Sequence, residues 1–308
     1  MSRQSMLNKK YTLIWPVFFL APFFICFTAF NLYPVLYSFF ISLTDWTGTN
    51  QRHFVGLENY IQILVRDINF RKSIVNTFFI IAAANTFTLI AGILLANFLF
   101  GLVKGRSLFQ TINFLPYVTT PVALGLIFSF LFDWKQGIIN KILAALGFSI
   151  EGFYWLGNPH LAPWVIIFLI IWKYSGYYMA IFLAGLTGIP VELYEAAIMD
   201  GAGKTTVFFR ITIPVLHPII TFAAVTSLIG GFQLFDEPSI IFGVGGMGTP
   251  IFGGPDRSVL TIVWNFYDIS FRNQFRFGYG AAVAFLLLLI IAVVSGLGNR
   301  FIGGKEDN

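Results

Sequence analysis

Charge is scarce in this chain. Asp, Glu, Lys and Arg together make up 11% of its 308 residues, less than half the roughly 25% of an ordinary soluble domain. Hydrophobic residues reach 57% and the mean hydropathy is +0.78. A soluble fold could not hide so much apolar surface from water, so the surrounding solvent is lipid. Cysteine is nearly absent too. Cys26 stands alone in an apolar run, which excludes an internal disulfide and favours a small buried hydrophobe. The three histidines, His53, His160 and His217, are dispersed and pair into no metal site. Neither a Ser-His-Asp nor a Cys-His set is readable, which argues against a membrane-embedded enzyme. The net charge of +5 is scattered, with no basic stripe for nucleic acid.

What is present is a series of long apolar runs. Six of them, near Leu13–Leu43, Ile74–Val103, Leu108–Phe132, Ala162–Leu186, Leu216–Phe235 and Gly278–Leu297, can each cross about 30 Å of hydrocarbon as a helix of about 20 residues. A β-barrel would show alternation instead. The expected fold class is therefore all-α, a polytopic bundle of six transmembrane helices. The first run is too long for a signal peptide and is followed by no small-residue cleavage site. An even count puts both termini on one side. The cations divide equally between the two sides, but the shorter segments, with Arg3, Lys9 and Lys10 at the N-terminus, hold them more densely. This places both termini in the cytoplasm. Outside the spans, Leu57, Tyr60, Ile61 and Leu64, and again Ile138, Ile142 and Leu146, recur at helical spacing, as in short helices lying on the membrane or on neighbouring spans. Gly243–Pro255, rich in Gly and Pro, reads as a loop.

The stretch between the fourth and fifth spans is the most informative. In Ile189–Pro218, Pro190 suits a helix start and Gly201 a left-handed stop after Asp200. On the helix between them Val191, Tyr194 and Ile198 share one face, and Glu192, Glu195 and Met199 another. Such a helix, held outside the bilayer by two spans, fits either a docking surface or a solvated loop.

The pattern Glu195-Ala196-Ala197, three residues, Gly201, nine residues, Ile211, one residue, Ile213-Pro214 resembles the EAA loop of ABC importer permeases. The family pattern has Leu where Ile213 stands. Further segments match carbohydrate-uptake permeases: Tyr33-Pro34 leading to Ser42-Leu43-Thr44-Asp45-Trp46, Phe54 through Tyr60, Leu115-Pro116, Trp172-Lys173 and Gly253-Gly254-Pro255. They resemble the first of the two permease types in such importers, in the compact six-span layout of multiple-sugar and glycerol-phosphate permeases.

The resemblance implies a type I ABC importer transmembrane domain. It divides the chain into residues 1–71 (N-terminus, first span and outer segment), a core at 72–297 with the coupling loop at 189–218, and a cytoplasmic tail at 298–308. It also implies that Glu192, Glu195, Ala196, Ala197, Asp200, Gly201, Ile211 and Pro214 engage a separate ABC ATPase dimer, which binds the ATP and Mg. This chain itself would hold no cofactor and would not be an enzyme. A second permease, an extracytoplasmic sugar-binding protein and the plasma (inner) membrane of a bacterium or archaeon complete the implied setting.

Gly201-Ala202-Gly203-Lys204-Thr205 looks like part of a phosphate-binding loop. The full signature requires Gly where Ile198 stands, and a preceding strand. Lys204 better suits the partner ATPase or lipid phosphates.

Lys173 is the one basic residue in mid-span, a position costing about 2.5–3.5 kcal/mol on insertion scales, so it should face a cavity or a partner. It sits among Trp172, Tyr174, Tyr177 and Tyr178, and aromatic faces suit sugar rings. Two readings fit it: a solute contact, or neutralisation of a carboxylate on a second permease. Alignment through the EAA loop puts Ile170, Lys173 and Tyr174 where the maltose importer contacts its sugar. The candidate solute pathway is thus Ile170, Trp172, Lys173, Tyr174 and Tyr177. Asn76, Asn85, Asn97 and Gln233 read mainly as interhelical glue, with at most one touching solute. No Asp or Glu falls deep in any span as drawn, which argues against the alternative of an ion-coupled secondary transporter.

Overall fold

The computed structural model describes residues 16–49, 51–101, 104–149, 153–244, 251–272 and 274–302. Arg3, Lys9, Lys10, Lys305, the Val103 end of the second expected span, the middle of the Gly243–Pro255 loop and most of the 298–308 tail lie outside them. In chain order the helices are α1 (Pro16–Ser42), α2 (Glu58–Val65), α3 (Ile68–Phe100), α4 (Arg106–Val118), α5 (Pro121–Leu131), α6 (Ile138–Ala145), α7 (Ala162–Thr187), α8 (Val191–Met199), α9 (His217–Phe232), α10 (Ile262–Tyr267) and α11 (Phe277–Ile302). Among the described residues the one β-type pairing is an isolated bridge between Thr44 and Phe54.

Helices α1, α3, α7, α11 and the segment His217–Gly243 that begins with α9 are each long and apolar enough to span a membrane. The third expected span is not one rod: α4 and α5 meet at a 96° bend. Pro121 drives Thr120 into extended backbone (ψ 142°) and then occupies the first turn of α5, as proline does before and at a helix start. The Thr120 hydroxyl accepts from the Ala123 N–H, at 3.4 Å.

The fifth span departs from expectation as well. Its helix is interrupted at Gln233–Phe235 and resumes at Asp236–Ser239, so it runs past its expected end at Phe235. Pro238 has no N–H to offer the carbonyl of Leu234, and the Thr261 hydroxyl donates to that oxygen instead, at 2.7 Å. Such a break is tolerated at membrane depth where it lines a cavity and its polar groups are satisfied within the protein.

Helix α7 is the centre of the bundle and the most buried span. It packs along α3, whose Ala84, Gly92 and Ala96 are all buried. A Cβ at Gly92 would press on Tyr178 Cβ at 2.9 Å, so the close approach depends on small residues, as is common between membrane helices. Ala96, Leu99, Met179, Phe182, Leu186 and Leu216 form a core toward the α8 end of the bundle. Ile80, Ile166, Leu169, Val259, Leu260 and Trp264 form another toward the far end. Most of helix α1 is unburied among the described residues, and only Ile41 and Ser42 at its end are buried. Cys26, expected to be buried, is exposed on it, because that stretch of α1 is uncovered among the described residues.

The short helices α2 and α6 occur where the spacing placed them. Leu57, Ile61 and Leu64, however, are more than half exposed, and the inward face of α2 carries Asn59 and Ile63. The Asn59 amide donates to the carbonyls of Ser42 and Thr44, both at 2.8 Å, satisfying groups that the end of α1 leaves open.

Candidate functional site

Two regions gather the polar chemistry of the chain. The first is a cavity of about 510 Å³ between α3, α7 and the broken fifth span, within the roughly 300–1,000 Å³ of small-molecule sites. Ile170, Lys173, Tyr174 and Tyr178 line it from α7. Their spacing of three, one and four residues is one stripe of a helix. Trp172 and Tyr177, expected beside them, lie off the cavity. They point from other faces of α7, Trp172 half-exposed against Phe128 and Tyr177 stacked on Tyr117 at 4.6 Å between ring centres. Tyr178 takes the place expected of Tyr177. Continuing the 170–174 step by four residues identifies it.

Across the cavity, Lys173 Nζ lies 2.7 Å from Glu237 Oε1, and both side chains are at least nine-tenths buried. The ammonium also sits 5.0 Å from the centre of the Tyr174 ring, a cation–π distance. The neutralising carboxylate is therefore in this chain, and the expectation that none lies deep in a span is corrected. The expected span stopped at Phe235. The chain passes through Asp236-Glu237-Pro238 and re-enters apolar sequence at Ile240-Ile241-Phe242. That resumption was the available signal.

Neutral polar groups complete the wall. Asn85, Thr88, Thr226, Ser227 and Gln233 all line the cavity, so two of the four in-span amides, Asn85 and Gln233, reach its wall. Asn85 Nδ2 and Thr88 Oγ1 are buried without a hydrogen-bond partner among the described residues, and such groups are unusual unless something binds them. Asn76, by contrast, is structural: its amide donates to the carbonyls of Arg257 at 2.7 Å and Leu260 at 3.2 Å. Asn97 is exposed on α3. Among the described residues no three His, Cys, Asp or Glu side chains cluster as metal ligands.

The second region is α8 and the turn after it. Pro190 stands immediately before the helix, not inside it. At the other end Gly201 has φ +77°, its N–H bonds the carbonyl of Ile198 at 3.0 Å, and the Ala202 N–H bonds that of Ala197 at 2.9 Å. This is the paired closure of a Schellman motif, which favours Gly. The helix touches the bundle along a narrow line. Ala197 is buried, and Tyr194 packs near Phe100 with its hydroxyl 3.4 Å from Thr212 Oγ1. Val191 and Ile198, expected on the same face as Tyr194, are exposed, as are Leu193 and Met199, the last at 87%. Glu192, Glu195, Ala196 and Asp200 are exposed too; Ile211 is half-buried and Pro214 exposed. The Gly201–Thr205 stretch follows α8 and runs into a short helical turn at Lys204–Val207, with no strand before it among the described residues. A helix showing four apolar side chains and three carboxylates to the outside has the composition of a docking surface more than of a solvated loop.

Known proteins place this architecture. A family described as "Binding-protein-dependent transport system inner membrane component" matches residues 88–302. The chain is 34% identical over 282 residues to the arabinooligosaccharides transport system permease protein AraP of Bacillus subtilis (strain 168), covering 91% of this chain and 86% of that one. It is 36% identical over 307 residues to the lactose transport system permease protein LacF of Rhizobium radiobacter, covering 99% and 98%. A chain of a bacterial ABC transporter involved in the import of the acidic polysaccharide alginate shares the fold, with a TM-score of 0.80 at 22% identity over 98% of this chain and 100% of that one. The buried Glu237 removes one argument against an ion-coupled carrier, and these relationships supply a stronger one. The chain belongs to the binding-protein-dependent transport system inner membrane components, the permease subunits of ABC transporters.

Proposed function

We propose that this permease subunit forms half of the membrane pathway of a sugar importer, with Lys173, Tyr174, Ile170, Tyr178 and Glu237 beside the solute and α8 as the contact to a separate ATPase. The observation that carries the reading is the pairing, in one chain, of a polar cavity among the spans with a protruding short helix at one end of the bundle. Curated relatives named for arabinooligosaccharides, lactose and diacetylchitobiose support sugar as the solute class. The cavity suits it, since tyrosine faces pack on sugar C–H surfaces while amides and hydroxyls bond the sugar hydroxyls.

In this reading the protein lies in the plasma (inner) membrane of a bacterium or archaeon, with both termini and α8 on the cytoplasmic side. A second permease supplies the other half of the pathway, and an extracytoplasmic binding protein delivers the sugar. An ATPase dimer binds ATP and Mg, closes, and moves α8 with it, which exposes the cavity alternately to the two sides. Glu192, Glu195, Ala196 and Asp200 contact the ATPase, Ala197 ties the helix to the bundle, Gly201 fixes its end, and Ile211 and Pro214 lead back into the fifth span.

The test is to tag the chain, extract it in mild detergent and identify what co-purifies. An ABC ATPase and a second six-span permease are expected, with the ATPase lost on Glu195→Lys while membrane insertion is unchanged. A lone chain that moves sugar into vesicles without ATP would overturn the reading.

A further inference from the structure

We infer that this chain's half of the pathway selects uncharged sugars over anionic ones, because Glu237 withholds the Lys173 charge from the solute and Asp236 adds a carboxylate of its own. The inference rests on the cavity being the solute pathway. An isolated buried ammonium would be an anion site: it would draw the carboxylate of a uronic acid or the phosphate of a sugar phosphate out of water. Here Lys173 is already committed, 2.7 Å from Glu237 and against the Tyr174 face. The cavity lining holds one cation and two carboxylates, Glu237 and Asp236. Asp236, part of that lining, is exposed and forms no ion pair among the described residues. One ammonium against two carboxylates leaves the wall net negative by one unit, a charge that still acts across the cavity at an effective dielectric of about 20.

What the wall does offer is neutral. Asn85, Thr88 and Gln233 are neutral hydrogen-bonding side chains, and the Ser227 and Thr226 hydroxyls, which already donate to the Ala224 and Phe222 carbonyls at 2.8 Å, keep lone pairs that accept. These groups satisfy hydroxyls and leave an anion without a countercharge. A sugar hydroxyl loses little on exchanging water for them. A carboxylate, by contrast, would meet Asp236 across the same space.

The experiment measures equilibrium binding of radiolabelled lactose, arabinotriose and digalacturonate to the purified permease–ATPase complex in nanodiscs, without the extracytoplasmic binding protein. The readout is therefore the preference of the pathway itself. Charges from the second permease are common to all forms compared, so the change between wild type and variant isolates this chain. Wild type is expected to hold at least one neutral sugar more tightly than digalacturonate. Glu237→Gln, which frees Lys173, is expected to shift that ratio about tenfold toward digalacturonate, the order given by one unit charge at about 10 Å in an effective dielectric of about 20. Asp236→Asn is expected to shift it the same way, and its exposed side chain keeps the test valid should Glu237→Gln fail to assemble. Digalacturonate binding as tight as that of both neutral sugars in wild type, or an unchanged ratio in both variants, would overturn the charge inference and leave the sugar pathway standing. Binding of no sugar to any form would overturn the pathway reading, and this inference with it.

Discussion

Lys173 and Glu237 stand 64 positions apart in sequence and meet at 2.7 Å inside the bundle, both side chains more than nine-tenths buried. Each explains the other: neither charge could be left at that depth alone. Their meeting also fixes the broken end of the fifth span against α7, which shapes the cavity between them.

Breaking that pair should destabilise more than removing it. Lys173→Met or Glu237→Gln alone leaves one buried charge uncompensated, at a cost of about 3–5 kcal/mol. The double variant Lys173→Met with Glu237→Leu leaves none and should recover most of the loss. Thermal melting of the detergent-solubilised complex measures this, and a double variant that melts as low as the worse single one would contradict the pairing.

Gly201 should resist even alanine. A Cβ there has open space around it, so the penalty is purely the left-handed backbone at φ +77°, about 1–2 kcal/mol for an L-residue. Membrane insertion of Gly201→Ala should be normal and its ATP-driven uptake reduced, with ATPase co-purification weakened. Full uptake would show that the turn need not hold that geometry.

Gly176 is limited by space, not backbone. An added Cβ would overlap the carbonyl of Asn113 on α4, so Gly176→Val must push α4 off α7 and should cost about 1–3 kcal/mol or more. Fluorescence-detected size exclusion of the solubilised protein should show loss of the monodisperse peak. A sharp, heat-stable peak would mean that α4 can move freely.

Asn59→Leu should lower the melting temperature without touching solute affinity. It removes both bonds to the Ser42 and Thr44 carbonyls and strands those acceptors, at about 1–3 kcal/mol. Asn85→Leu should do the reverse. Its Nδ2 has no hydrogen-bond partner among the described residues, so stability should hold while the sugar concentration for half-maximal uptake rises several-fold. An unchanged value would remove Asn85 from the pathway.

The membrane class, the approximate positions of the spans, and the α8 loop with its Gly201 stop can be read from the residues alone. Each of these is local: hydropathy is summed over about 20 neighbouring residues, and a helix stop is decided within one turn. The break in the third span is marked locally as well, by Thr120-Pro121, but its 96° angle is not. Which side of each span faces which neighbour emerges only from the packing of the folded chain. Helices α3 and α7 are apolar nearly all round, so periodicity carries no mark of their inward face. Trp172 and Tyr177 could not be told from Tyr174 and Tyr178 on composition, nor could Tyr194 be told from Val191 and Ile198. The partner of Lys173 was hidden for the same reason. A contact across 64 residues is set by the crossing of two spans and by the helix break beside Pro238, and neither is written in the residues next to Lys173.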